Sequence, residues 1–477
     1  MAGQYDVIII GSGPGGYVSA IRCSQLGLKT LCIEKCGNEG KPILGGTCLN
    51  VGCIPSKALL DTSSKLIEME KLSSHGIDAG EISVDISTMQ SRKQAVVKSL
   101  TQGVEGLFKL NKVDFLNGKA FIKTKNEIIV ETSDGSKDSY TAKNIIVATG
   151  SSPIELNGIG DERKNIITSK EALELEEVPA NIAIIGAGAI GLEIGSIWNR
   201  LGSNVVLLEA LNEFLPQADK QISKQSLRIL KNQGLDIKLG AKVLNAESFN
   251  NKVKVIYSCD SVEHEIIVDK LITAVGRKPF THSLFAKDLN LEINSEGCVV
   301  VDELCCTSIP NIYAIGDVIG GQMLAHKASE EAVMVSENIH KQASSKVDYN
   351  LIPSVIYTHP EIAWVGLSEE DASKKGFDLS TGSFPFSING RALASGDTEG
   401  FVKTIVDNKN DKIIGVHILG SNASELLQQA VVAMRMNSSA EDLSRTIFSH
   451  PSLSEALHES ILSAKGKAIH LNNRKKK

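Results

Sequence analysis

The stretch Tyr5-Asp6-Val7-Ile8-Ile9-Ile10-Gly11-Ser12-Gly13-Pro14-Gly15-Gly16 decides the fold. An apolar run stops at a glycine, and a proline stands where a helix opens. A second apolar run then ends in Glu34. Residues 5–34 therefore read as strand, glycine turn, helix and strand, a βαβ unit. Gly11 permits the tight turn, Gly13 lets the backbone approach a pyrophosphate, and Gly16 lets helix and strand pack closely. Free N–H groups and the dipole at the helix start favour an anion. Glu34 falls about twenty residues on, where an acid can hold ribose hydroxyls. Residues 181–209 repeat this order, with Gly186-Ala187-Gly188-Ala189-Ile190-Gly191 and the acid Glu209. A carboxylate there accepts hydrogen bonds from a free 2′-hydroxyl and repels a 2′-phosphate, which favours NAD over NADP. The repeat implies two dinucleotide-binding units, and spacing alone does not say which dinucleotide each one takes.

Outward from these units, residues 127–131 and 144–148 read as strands, the latter running into Thr149 and Gly150. The polar, glycine-bearing stretch 151–161 suits a domain boundary. Residues 269–275 and 312–315 read as strands that end at Gly276-Arg277-Lys278-Pro279 and Gly316-Asp317. A last region begins near Asp348, with strands at 401–406 and 413–419 and helices at 424–436 and 452–463. The 477 residues allow roughly three domains. A net charge of -6 argues against nucleic acid as the main partner. The basic run 474–477 reads as a solvated tail. No apolar stretch reaches the length of about 18 residues that a membrane span needs. The early apolar run Val7 to Ile10 is too short for a signal-peptide core and follows Asp6, so a cytoplasmic location is expected. Nine cysteines, an odd number, speak against a secreted disulfide framework. Cys23, Cys32, Cys259, Cys298, Cys305 and Cys306 sit in apolar or strand-like surroundings and read as buried small hydrophobes. Cys36 lies in a polar loop and receives no role.

The remaining two cysteines stand in Gly45-Gly46-Thr47-Cys48-Leu49-Asn50-Val51-Gly52-Cys53-Ile54-Pro55-Ser56-Lys57. Such a pair could be structural, metal-binding or redox-active. Metal sites usually space their ligands more tightly and need a second pair, which is not apparent, so no metal is expected. On a regular helix the two side chains would point about 140° apart. A bond between them needs a distorted turn, which Gly52 and Pro55 can supply. Lys57 shares the helix face of Cys53, and its ammonium would favour a Cys53 thiolate. Near the C-terminus, Ser449-His450-Pro451-Ser452-Leu453-Ser454-Glu455 opens a helix. Ser452 and Glu455 have capping-box spacing. His450 has the side chain suited to proton transfer with a thiol, and a carboxylate can hold the other ring nitrogen. A second histidine-proline pair, His359-Pro360, matches no catalytic role.

Five features occur here in order: a glycine fingerprint, the cysteine segment, a second fingerprint, a Gly-Asp motif and a late His-Pro. In this the chain resembles the flavin-dependent disulfide reductases, over about residues 6–462. The residues after each cysteine resemble the dihydrolipoyl dehydrogenase family. Glutathione reductases usually carry Val-Pro-Lys-Lys where this chain has Ile54-Pro55-Ser56-Lys57, and arginines where it has Glu209. Mercuric reductases and large thioredoxin reductases add a C-terminal cysteine pair, whereas the last cysteine here is Cys306. Soluble transhydrogenases of this fold lack the redox pair.

The resemblance implies an α/β fold of two Rossmann-like dinucleotide-binding domains plus a C-terminal α+β dimerisation domain. The expected segments are 1–150 (FAD-binding, first part), 151–279 (NAD-binding), 280–347 (FAD-binding, central) and 348–477 (dimerisation). It implies FAD at Gly11, Gly13, Gly16 and Glu34, with Lys57 near the flavin. Further FAD contacts would come from Ala120, Thr149, Gly150, Asp317, Met323, Leu324, Ala325 and His326. Glu193 would pair with the flavin-side lysine, and Gly186, Gly188, Gly191, Glu209, Val243 and Gly276 would serve NAD. Cys48 and Cys53 would form the redox disulfide, with His450 as base and Glu455 as its orienting acid. The implied reaction oxidises protein-bound dihydrolipoamide and reduces NAD+. The implied partners are a second copy of the chain and lipoyl domains of 2-oxoacid dehydrogenase complexes or the lipoyl carrier protein of glycine cleavage. A disulfide reductase that prefers NADPH, or a flavoprotein with a mainly structural part in a larger assembly, are the competing readings.

Overall fold

The computed structural model describes residues 3–35, 44–156, 159, 164–341 and 346–473. Cys36 and the basic tail lie outside these. The chain divides into two compact units. One comprises Met1–Leu59, Asp85–Leu156 and Gly276–Val347, the other Leu60–Val84, Asn157–Val275 and Asp348–Lys477.

In the first unit the strand Gly3–Ile10 lies between Thr30–Glu34 and Lys137–Val147, parallel to both. Asp114–Asn117 extends the sheet on one side, parallel to Thr30–Glu34. On the other side Ile312–Ala314 adds in parallel to Lys137–Val147, and Glu127–Glu131 and Lys119–Thr124 add as antiparallel strands. Val7 and Ile9 join a core layer with Ala20 and Cys23 of the helix Pro14–Gln25, while Ile8 and Ile10 join a second layer with Ile145 and Val147. Burial of both faces explains why the opening strand is a continuous apolar run rather than an alternating one. The expected strand at 144–148 is the end of the longer Lys137–Val147, and Glu127–Glu131 falls where expected.

The second unit holds a parallel sheet in the order Leu235–Lys238, Asn204–Leu208, Asn181–Ile185, Lys270–Thr273, Ile166–Thr168. An antiparallel meander, Lys242–Phe249, Lys252–Cys259 and Val262–Val268, accompanies it. The C-terminal part is a five-stranded antiparallel sheet. Its order is Ser354–Ile356, Glu361–Gly366, Lys412–Gly420, Phe401–Asp407, Leu379–Pro385. Helices Ala423–Arg435 and Ser454–Ala464 pack against it through Leu426, Leu427, Ala430, Leu457 and Ile461. Gly382 admits the last helix: a Cβ there would lie 2.1 Å from both Ser460 O and Ala464 N. The parallel sheets of the two units match the two dinucleotide folds expected, and the five-stranded antiparallel sheet with its helix pair matches the α+β C-terminal domain.

The strand Phe401–Asp407 is buried throughout, yet it carries Lys403. Its Nζ lies 2.9 and 2.8 Å from the two Asp219 oxygens and 2.6 Å from Glu369 Oε2. Asp219 also caps the helix Lys220–Asn232 through the Gln221 N–H. Burial raises the Asp219 carboxyl pKa, but the Lys403 ammonium outweighs it and the net shift is downward. Lys403→Met strands a buried carboxylate and should cost about 3–5 kcal/mol in urea unfolding. Adding Asp219→Asn, which keeps the cap, should recover most of that loss. Equal cost for single and double variants would show that the lost charge pairing is not the cause.

Candidate active site

The glycine loop of the first unit is built by close approach. A Cβ on Gly11, whose φ is +101°, would lie 2.3 Å from Ala148 O, and one on Gly16 would lie 1.8 Å from Gly11 O. A Cβ on Gly13 would meet nothing within 4 Å, so the loop faces open space there. Gly13 precedes the helix Pro14–Gln25 without a side-chain cap, which leaves first-turn N–H groups directed outward. Glu34 Oε2 accepts both the Ser12 N–H and the Ser12 hydroxyl at 2.7 Å, so the strand-end acid is held at the loop.

The cysteine segment starts against this same loop. The Gly45 N–H donates to Ser12 O at 2.9 Å, and a Cβ on Gly46 would lie 2.7 Å from Gly13 Cα. The helix Gly46–Val51 then stops, and Cys53–Glu70 begins one residue later. Gly52, at φ -136° and ψ -110°, makes the break between Cys48 and Cys53 that their spacing demands. Both sulfurs are free thiols here and share a hydrogen bond. That bond, then burial, pushes the Cys48 thiol far above its ordinary pKa, against a smaller opposing pull from the Lys57 charge. Of the other described cysteines, Cys23, Cys32, Cys298 and Cys305 are buried as expected, whereas Cys259 and Cys306 are only half-buried.

Several expected contacts gather in the first unit. Thr149 Oγ1 donates to Phe280 O at 2.7 Å, and Gly150 has φ +70°. The Ala120 side chain is packed into the sheet core, so only its backbone can meet a ligand. Met323, Leu324, Ala325 and His326 form the start of the helix Ala325–Ile339, whose N-cap Leu324 provides no side-chain acceptor. Sequence reading missed Ser151 and Arg277. The Ser151 hydroxyl donates to Asp317 Oδ2, and Arg277 Nε donates to Ser151 Oγ at 2.7 Å. Burial lowers the Arg277 pKa, while the charges of Asp317 and Cys53 pull it back up. Their places directly after Gly150 and Gly276 were the only signal.

In the second unit Gly186 and Gly191 repeat the close approach, with Cβ positions 2.5 Å from Ala274 O and 2.1 Å from Gly186 O, and Gly188 again faces open space. Glu209 Oε2 accepts the Ala187 N–H at 2.8 Å, and its Oε1 accepts the Leu211 N–H at 2.9 Å. Glu193 is buried and accepts the Tyr357 N–H at 3.1 Å. Val243 sits at the register shift of the meander. Gly276, grouped by sequence with these residues, belongs to the first unit, where its carbonyl accepts the Ile154 N–H.

His450 Nδ1 and Glu455 Oε1 are 2.9 Å apart, and the imidazole is 79% exposed. The expected capping box is only half formed. Glu455 Oε2 accepts the Ser452 N–H at 2.9 Å, but the Ser452 hydroxyl turns back to Ser449 O at 2.6 Å and the helix starts at Ser454. Partial burial raises the Glu455 carboxyl pKa, yet the Ser452 N–H and His450 together leave it below its ordinary value. The other pair, His359 Nε2 and Asp397 Oδ1, lies at 3.3 Å and holds the Asp397 carboxyl at about 2. Glu455→Gln should cost about 1 kcal/mol at neutral pH, because bonds to an ionised carboxylate weaken with partial exposure. A depressed carboxyl pKa contributes stability above the unfolded value of about 4.3 and loses it as pH falls through the folded value. The difference between the two proteins in urea unfolding should therefore shrink below about pH 4. A difference constant from pH 7 to pH 3 would show that ionised Glu455 contributes nothing.

Comparison with known proteins agrees with this geometry. The family described as pyridine nucleotide-disulphide oxidoreductase matches residues 5–332, and its dimerisation domain matches residues 352–461. The chain is 45% identical over 471 residues to dihydrolipoyl dehydrogenase 1, mitochondrial, of Arabidopsis thaliana, covering 98% of this chain and 92% of that one. It is 44% identical to a dihydrolipoyl dehydrogenase of Cupriavidus necator, covering 99% of this chain and 100% of the relative. Among solved structures, the HOCl-induced flavoprotein disulfide reductase RclA of Escherichia coli superposes with a TM-score of 0.85 at 28% identity, covering 96% and 99% of the two chains. The chain belongs to the pyridine nucleotide-disulphide oxidoreductases and, within them, to the dihydrolipoyl dehydrogenase family.

Proposed function

We propose that this chain is an NAD-dependent dihydrolipoyl dehydrogenase that reoxidises protein-bound dihydrolipoamide through Cys48 and Cys53. The observation that carries the reading is the cysteine pair, set across the Gly52 break on a helix that starts against the first glycine loop. The open face at Gly13, the uncapped starts of Pro14–Gln25 and Ala325–Ile339, and the acids Glu34 and Asp317 fit FAD. Gly188 and Glu209 fit the pyrophosphate and ribose of NAD. FAD supplies two-electron chemistry between the dithiol and NAD+.

His450, oriented by Glu455, takes the proton from a substrate thiol. The substrate thiolate attacks Cys48, the Cys48–Cys53 bond breaks, and Cys53 leaves as a thiolate. The second substrate thiol then attacks the substrate sulfur bound to Cys48, the bond to Cys48 breaks, and the proton of that thiol goes to the departing Cys48 thiolate. Lipoamide leaves as its cyclic disulfide, and two protons and two electrons remain on the enzyme.

The active form is a homodimer in which the last domain makes the interface. Val432, Met436 and Ile447 are exposed apolar residues of the matched dimerisation segment. They line one groove together with Ser449, the neighbour of His450. His450 therefore serves the cysteine pair of the partner subunit. The physiological partners are lipoyl domains of 2-oxoacid dehydrogenase complexes or the lipoyl carrier of glycine cleavage. No helix among the described residues is long and apolar enough to cross a membrane. The odd number of cysteines argues against a secreted disulfide framework, and the compartment we propose is the cytoplasm.

Cys53→Ser should retain FAD, abolish dihydrolipoamide-dependent NAD+ reduction, and lose the long-wavelength absorbance that a thiolate beside flavin gives on two-electron reduction. Persistence of that band would make Cys48 the flavin-facing sulfur. Mixing a Cys48→Ser chain with a His450→Gln chain tests the dimer. Loss of a positioned base should cost on the order of 10²- to 10⁴-fold in the His450→Gln homodimer, and Cys48→Ser removes the redox disulfide and with it dihydrolipoamide-dependent turnover. After subunit exchange, each heterodimer should regain one site, and activity should rise toward half of the wild-type value per heterodimer. No recovery with exchange demonstrated would place His450 in its own chain's site.

A further inference from the structure

The helix Ala325–Ile339 contains an ion pair that stability does not explain. Lys327 Nζ and Glu331 Oε1 are 3.0 Å apart, with side chains only 3% and 0% exposed. Withdrawing both charges from water is costly, and an apolar pair of similar volume is commonly as stable or more so. The order, lysine before glutamate by four residues, is also the less favourable one on a helix.

The pair holds one residue at both of its backbone polar groups. The Gly316 N–H donates to Glu331 Oε2 at 2.8 Å, and Lys327 Nζ donates to Gly316 O at 3.3 Å. Gly316 is buried with φ +76°, and a Cβ there would lie 3.2 Å from Ala328 Cβ. It is thus seated on the helix that carries the pair. Asp317 follows immediately in the short turn Gly316–Ile319, and its carboxylate accepts the Ser151 hydroxyl. Lys327 sits two residues inside the uncapped helix start formed by Met323 to Ala325, and Glu331 lies one turn further on.

We propose that Lys327 and Glu331 are positioning residues for the flavin: they clamp the Gly316–Asp317 turn to the start of the helix, so that Asp317 and residues 323–326 present one preformed surface to FAD. This rests on the reading above that those residues hold FAD. The acceptor at 331 and the donor at 327 are both required, because an N–H and a C=O of the same residue are being satisfied. An apolar pair keeps the packing and loses the clamp.

The test uses purified full-length holoenzyme. Lys327→Met/Glu331→Leu should unfold at a temperature close to wild type but bind FAD about tenfold more weakly or worse, with a shifted flavin midpoint potential and visible spectrum. Glu331→Gln keeps an acceptor for Gly316 and should retain more of the FAD affinity than the double variant. Unchanged FAD affinity and potential in the double variant would overturn the proposal. If the double variant does not fold, Lys327→Met, which removes the bond to Gly316 O, decides alone: a shifted potential in the folded protein supports the clamp, and wild-type affinity and potential overturn it. Asp317→Asn separates the two levels. Loss of FAD affinity there with none in the pair variants removes this inference alone, while no loss in Asp317→Asn removes the underlying reading of the site.

Discussion

The structure depends on a contact that only a glycine allows. In the first unit the oxygen of Gly11 lies 1.8 Å from where a Gly16 Cβ would be, and in the second unit Gly186 and Gly191 repeat this at 2.1 Å. The helix start is thereby pressed against the end of its strand, and its uncapped N–H groups point out over the loop. A methyl group at either position would have to displace backbone rather than a pliable side chain. The same closeness fixes what lies beside each loop: the acids Glu34 and Glu209 bond back to it, and the cysteine segment begins on it.

The cysteine segment shows how a local irregularity becomes chemistry. Regular helix would point Cys48 and Cys53 apart, and Gly52 interrupts it. With the two sulfurs brought to hydrogen-bond distance, their equivalence is lost. Cys48 is half-buried and shares its proton with its neighbour, whereas Cys53 is exposed. Two residues of one type thus sit in different environments, and environment sets the reactivity of a thiol.

Buried charge marks the places where backbone or segments must be held in register. Lys403 joins a C-terminal strand to the helix capped by Asp219, segments that lie far apart in the chain. Lys327 and Glu331 hold a single glycine. In both cases the charge is satisfied by several bonds at once, the condition under which a desolvated ion is tolerated inside a protein.

The chain's own pattern determined the two βαβ units, because their signals are local: an apolar run, glycines at fixed offsets, and an acid at the next strand end. It also determined the cysteine pair and the need for a break between them, since helix geometry follows from spacing alone. The meander Lys242–Phe249 to Val262–Val268 and the long helix Ile86–Leu110 were not legible, because each exposes a charged face that masks its buried one. Ser452 matched a capping box in sequence, but the bond of its hydroxyl to Ser449 O was decided by the fold. Arg277, Ser151, Lys327 and Glu331 looked like ordinary polar residues. The bonds of Arg277 to Ser151, of Ser151 to Asp317, and of Lys327 and Glu331 to Gly316 join segments separated by 11 to 166 positions, and a sequence carries no sign of a contact whose partners meet only after the sheet has closed.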